Sequence, residues 1–140
     1  MKPETIENII NKQKIAFIAS IDANGYPNMK AMLSPRKRNG LREFWFSTNT
    51  SSQRVAQYRE NPKASVYFWD KRPFYRGVML IGTMVVLEDA ESKEMIWEFG
   101  DRLYYPKGVT DPDYSVLMFT AKSGRWYVNF NSGDFEVKAI

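Results

Sequence analysis

The stretch Ile15–Leu33, IAFIASIDANGYPNMKAML, decides the fold class. Ile15 to Ile21 is a run of branched and aromatic residues with β character, and Asp22-Ala23-Asn24-Gly25 closes it with a strong turn signal. Asn28 to Leu33 then resumes the extended pattern, so residues 15–33 read as a hairpin of two antiparallel strands. Upstream, Thr5 to Lys12 reads as a short helix behind Pro3 and Glu4, with Ile6, Ile9 and Ile10 at i, i+3, i+4 spacing. Downstream, Pro35 to Gly40 reads as a basic turn, and Arg42 to Ser47 as a third strand carrying Phe44, Trp45 and Phe46.

The pattern continues in the same style. Gln53 to Glu60 is a helix that ends at Asn61-Pro62, Ala64 to Trp69 a fourth strand, and Tyr75 to Leu87 a long β stretch with a bulge expected at Gly82. Asp89 to Phe99 reads as helical, with Asp89 or Ser92 as cap, and Gly100 to Tyr114 as a loop. Val116 to Ala121 and Arg125 to Phe130 form a last hairpin about Ser123-Gly124, followed by a short tail. Hairpins dominate and crossovers are few, so the pattern favours a mainly β, antiparallel, Greek-key-like barrel with peripheral helices over a parallel βαβ sheet. The 140 residues suffice for one domain, spanning 1–140.

Composition narrows the chemistry. The chain has no Cys and no His, which excludes disulfides, thiolate nucleophiles, His-based triads and Cys/His metal sites. An enzyme built this way would draw its reactive chemistry from a bound cofactor. Aromatic residues make up 15% of the chain, a supply of rings suited to flat-ligand pockets and subunit interfaces. The N-terminal segment carries no apolar run of signal-peptide length, and no run approaches a membrane span, so a cytoplasmic location away from any membrane is the expectation. Net charge is +4, a small excess that leaves anionic ligands open.

The stretch Ser47-Thr48-Asn49-Thr50-Ser51-Ser52-Gln53-Arg54 carries a strand into a helix. Hydroxyls and free N–H groups at a helix start suit an anion, and an arginine in the first turn can grip two phosphate oxygens. Lys30 and the turn Arg36-Lys37-Arg38 offer further positive charge. The same residues also describe an ordinary helix cap with a solvated arginine, a solvated hairpin tip and, at Trp126, a core residue. A nucleic-acid-binding barrel using Arg36, Lys37, Arg38 and Arg42 with Trp45 and Tyr67 is the rival from another class; dispersed acidic residues and the small charge excess count against it, and no nucleic-acid partner is expected.

Taken in order, Gly25-Tyr26-Pro27, Lys30-Ala31-Met32, Phe46-Ser47-Thr48-Asn49, Ser52-Gln53-Arg54, Asn61-Pro62 and Gly82-Thr83 followed by Asp89 resemble the motifs of the pyridoxamine 5′-phosphate oxidase-like split barrels. Tyr105-Pro106-Lys107-Gly108, Asp111-Pro112-Asp113-Tyr114 and a Trp in the final strand resemble its general-stress-protein branch, and the likeness runs from about residue 12 to 130. The resemblance implies a split β-barrel, a homodimer, and FMN in each of two grooves at the subunit interface. It implies Lys30, Ala31 and Met32 along the flavin edge, Phe46, Ser47 and Thr48 at the rim and ribityl chain, Ser52, Gln53 and Arg54 at the phosphate, and Trp126 from the partner chain. Lys30 and Lys71 are candidates to face flavin N1. Lys30 stands where the family usually has Arg, Arg54 where it has Lys, and Pro35 at the place of a second phosphate-binding Lys, for which Arg36 is the candidate substitute. The true oxidases close their substrate site with a C-terminal Arg and His motif; without His, oxidation of pyridoxamine phosphate is not expected. The expectation is therefore an FMN-dependent oxidoreductase acting on a small-molecule substrate or electron donor, with a non-catalytic flavin binder or an F420-binding relative as alternatives.

Overall fold

A computed structural model describes residues 1–71 and 75–138. Helix α1 (Pro3–Lys12) starts two residues before the predicted Thr5, because the fixed φ of proline suits the first helical position. Ile6, Ile9 and Ile10 are its buried face. Strands β1 (Ile15–Ile21) and β2 (Pro27–Leu33) form the expected antiparallel hairpin, in register from Ile15↔Leu33 to Ile21↔Pro27. The Asp22 carboxylate accepts from the Asn24 and Tyr26 N–H groups and the Asn28 amide, and Gly25 takes the left-handed conformation (φ +83°) that closes the turn.

The basic turn contains a short strand. β3 (Lys37–Asn39) pairs antiparallel with β4 (Glu43–Asn49), and the reversal itself falls at 39–42. On β4 the side chains alternate, Phe44, Phe46 and Thr48 turning inward, while Glu43, Trp45, Ser47 and Asn49 are half-buried. Helix α2 (Gln53–Glu60) follows, capped by the Ser52 hydroxyl, which accepts from the Val55 N–H. β5 (Lys63–Asp70) and β6 (Arg76–Leu87) come next, then α3 (Ala90–Ile96), capped by Asp89. The helix predicted to reach Phe99 stops at Ile96, and 3₁₀ turns occupy Phe99–Leu103 and Gly108–Thr110 within the predicted loop.

The C-terminal region departs most from expectation. No hairpin forms about Ser123-Gly124; β7 (Tyr114–Val128) runs straight through it, and the tail forms an eighth strand, β8 (Asn131–Glu136). The turn lies at Asn129, whose φ is +54°. Gly124 marks close approach: a Cβ there would lie 2.3 Å from the Phe135 ring and 2.8 Å from the Met79 carbonyl oxygen. The bulge expected near Gly82 is present. Ile81 opposes Ser123 and Gly82 opposes Ala121, so Lys122 is the extra residue on β7.

The strand order is β2-β1-β5-β6-β7-β4-β3, all neighbours antiparallel, with β8 added on β7. β7 spans two neighbourhoods, pairing β4 along residues 114–120 and β8 along 123–128. The ladder does not close on itself, and the result is a split barrel with helices at its margins. Phe44, Phe46, Phe68 and Phe119 fill its centre, with ring centroids of Phe44 5.9 Å from Phe68 and 6.1 Å from Phe119. Burying each such ring stabilises the fold by about 1.5–3 kcal/mol. A second cluster of Ile96, Tyr105, Tyr114 and Val116, backed by Trp45 and Trp97, anchors the 97–114 segment to the barrel.

Candidate functional site

The C-terminal ends of β2 and β4, the start of α2 and the 3₁₀ segment after α3 converge on one cleft of about 330 Å³. Lys30, Ala31, Met32 and Leu33 form one wall, Ser47, Thr48, Asn49 and Arg54 the floor, and Arg36, Asp101, Tyr104 and Tyr105 the far wall. Six of the residues named from sequence (Lys30, Ala31, Met32, Ser47, Thr48 and Arg54) therefore share one surface.

The others are placed differently. Phe46 is 0% exposed, its ring in the core, because alternation along β4 turns it away from Ser47. Ser52 uses its hydroxyl to cap α2, and Gln53 is exposed at the first turn of that helix. Trp126 lies on the second half of β7, where a Cβ on Gly133 would sit 2.5 Å from its ring, away from this chain's cleft. Lys71 lines a different depression, with Ile15, Phe17 and Trp69.

Arg54 dominates the floor. One of its terminal nitrogens donates to Thr48 Oγ1 at 3.2 Å and Asn49 Oδ1 at 3.4 Å, while its Nε is buried without a hydrogen-bond partner among the described residues. Burial lowers its pKa, though Tyr58 and Tyr105 act in the opposite sense. A guanidinium stays charged under such pressure, so the floor holds a cation served only by neutral oxygens. An unpartnered buried donor of this kind costs stability unless a ligand satisfies it.

Arg36, the candidate substitute for a second cation, is already spent. It makes a fork-to-fork pair with Asp101, Nη1–Oδ2 3.0 Å and Nη2–Oδ1 2.8 Å, and further contacts the Ile96 carbonyl and Glu98. The Asp101 hydrogen bond raises the Arg36 pKa against the effect of burial. Burial works against the Asp101 charge, but the Arg36 hydrogen bond, the Glu98 N–H and the Arg36 charge outweigh it and hold the carboxyl below its ordinary value. Arg38 is likewise engaged, with Glu7 at 2.7 Å and Asn11 at 3.1 Å, and Lys37 lies over the Trp45 ring.

The loop ahead of α2 is held from a distance. The Asp113 carbonyl accepts from the Thr50 N–H at 2.7 Å, and its carboxylate from the Ser51 N–H at 2.9 Å; Thr50 and Ser115 hydroxyls meet at 2.5 Å. Those two amides are therefore committed. The sequence places Asn49, Tyr105 and Asp113 within motifs but marks no role for them, and nothing local in it marks Asp101 and Tyr104, which also line the cleft. Among the described residues no three His, Cys, Asp or Glu come together to hold a metal ion, and no helix is long and apolar enough to cross a membrane.

A sequence profile of the family described as Pyridoxamine 5′-phosphate oxidase matches residues 3–126. The chain belongs to that family. Among solved structures it is similar to a protein related to general stress protein 26 of the pyridoxinephosphate oxidase family from Clostridium acetobutylicum, at 38% identity over 98% of this chain and 97% of the other, with a TM-score of 0.87. It also superimposes on general stress protein 26 from Bacillus anthracis (16% identity, 96% and 98% covered, TM-score 0.78) and on a heme binding protein from Mycobacterium smegmatis (15%, 96% and 57%, 0.76). At those identities the last two show the fold alone. No curated protein sequence matches the chain.

Proposed function

We propose that this chain is an FMN-binding flavoprotein that works as an oxidoreductase in the cytoplasm, a homodimer with FMN in the cleft at the subunit interface. The observation that carries the reading is Arg54, a half-buried cation whose buried Nε has no partner among the described residues, in a cleft that Ser47, Thr48 and Lys30 also line. That donor set fits a phosphate joined to a polyol. Arg54 would hold the phosphate, with Ser52 and Gln53 at the helix start beside it. Ser47 and Thr48 would take ribityl or ring-edge oxygens, Ala31 and Met32 would pack against the ring, and Lys30 would face its polar edge. Phe46 would support the floor from beneath, and Trp126 would come from the partner. Large exposed apolar side chains on the barrel wall, such as Met29 (72% exposed), Leu33, Ile81 and Val85, support a covering partner. Bound FMN supplies hydride acceptance and donation, while the chain supplies position, charge and exclusion of water.

F420 is the poorer fit. Its polyglutamyl tail needs open basic surface, and Arg36 and Arg38 are both engaged with carboxylates. A flavin holder without turnover is the second reading. It is favoured by the commitment of Asp101, the carboxylate on the cleft wall, to Arg36, which leaves that wall without a general base. Turnover with NADH or NADPH and an electron acceptor separates the two.

The test of the shared core is a visible spectrum of desalted protein after incubation with FMN. Flavin bands retained near one FMN per chain are expected, and Arg54→Ala should weaken FMN binding by about 1.5–3 kcal/mol, the range for a hydrogen bond to a charged group. Protein that retains no flavin, or an Arg54→Ala variant that binds as well as the parent, overturns the assignment.

A further inference from the structure

Resting on the FMN reading, we infer that Tyr105 is part of the anion site, its hydroxyl donating to a phosphate oxygen of FMN alongside Arg54. A phosphate monoester presents three terminal oxygens, and one guanidinium serves at most two of them. Some of the cleft's other donors are already engaged. Arg36 is neutralised by Asp101 and Glu98, and the Thr50 and Ser51 amides are bonded to Asp113. The Ser52 hydroxyl accepts from the Val55 N–H as a helix cap and keeps its own O–H free to donate.

Tyr105 is a further donor on the cleft wall. It is 8% exposed, it lines the cleft, and its hydroxyl makes no hydrogen bond to any described residue. Its ring is fixed in place, packed against Tyr114 with centroids 5.1 Å apart and against Trp97 at 6.4 Å. The hydroxyl lies within electrostatic reach of Asp113, Asp101, Arg36 and Arg54. Burial above all, with the Asp113 and Asp101 charges, pushes its pKa up to about 12 against the pull of Arg36 and Arg54. It therefore remains a donor at neutral pH, and a neutral donor can approach the dianion without adding a second buried cation that the fold must neutralise. The ring also ties the site to the 101–114 segment, so that one motif both holds the loop before α2 through Asp113 and supplies a ligand to the same anion.

The experiment compares FMN with riboflavin, which lacks only the phosphate, by flavin-fluorescence titration of the parent protein and Tyr105→Phe. The substitution removes one oxygen that bonds no described residue and keeps the packed ring, and riboflavin binding checks the fold in the same preparation. We expect FMN affinity to fall roughly ten- to a hundredfold with riboflavin affinity unchanged, the size expected for one bond to a charged group. An FMN-to-riboflavin preference identical to that of the parent overturns the role, and assigns the hydroxyl elsewhere, for example to a substrate. Equal loss of both flavins also overturns it, as a packing effect. A parent that binds neither flavin removes the FMN reading itself, and this inference with it.

Discussion

Two arginine-bearing regions, the strand β3 region with Arg36 and Arg38 and the start of α2 with Arg54, differ in how their charge is met. On the far side, Arg36 and Arg38 have carboxylate partners, Asp101 and Glu98 for the first and Glu7 for the second. On the floor, Arg54 has only the neutral oxygens of Thr48 and Asn49 and an Nε with no partner among the described residues. The first region spends its charge within the fold and returns it as stability; the second is left to spend its charge on a ligand. Positive residues in a sequence do not announce which kind they are, because the distinction lies in what the remainder of the chain brings to them.

That contrast can be broken by removing partners. The largest effect is expected from Asp101→Ala, which leaves the Arg36 guanidinium, 14% exposed, without its fork partner. Urea unfolding should report a loss of about 3 kcal/mol, the lower end for a broken buried pair because Glu98 remains. The same pair sets a pH dependence. The folded Asp101 carboxyl titrates below its unfolded value, so its contribution is complete above about pH 4 and is lost as pH falls through the folded pKa. The stability gap between the parent and Asp101→Asn should thus be full at neutral pH and shrink by pH 3; a gap that does not change with pH would remove the ion pair as its source.

Arg54 should respond with the opposite sign. Arg54→Met replaces an incompletely satisfied buried cation with a chain of similar length, and the ligand-free protein should gain about 1 kcal/mol while losing FMN affinity. A loss of stability instead would show that Arg54 is structural. The smallest effect belongs to Arg38→Ala, about 0.5 kcal/mol in thermal unfolding, since its partner Glu7 is a third exposed and such pairs contribute little.

The legible parts of the fold were those with local causes. The β1–β2 hairpin follows from the Asp22–Gly25 turn, and α2 falls where Ser52 caps it and Asn61-Pro62 stops it. The end of the chain was misread for a nonlocal reason. Ser123-Gly124 has the composition of a turn, but Gly124 is there because Phe135 and the Met79 carbonyl occupy the space of a side chain. The site divides in the same way. The run from Ser47 to Arg54 was legible as an anion-binding strand-to-helix junction, although strict alternation along β4 already argued that Phe46 and Ser47 point to opposite faces.

By itself the sequence determined the antiparallel β class, the absence of Cys and His chemistry, and the order of motifs that marks the pyridoxamine 5′-phosphate oxidase family. Those properties are carried by composition and by neighbours within a few residues, where turn and cap energetics act. Only the tertiary structure decided that Arg36 is neutralised by Asp101, 65 residues away, that Asp113 holds the loop before α2, and that Arg54, whose Nε has no partner among the described residues, shares one cleft with Tyr105. Whether a charged group is satisfied depends on which distant oxygen the packing brings within about 3 Å of it, and no local pattern contains that distance.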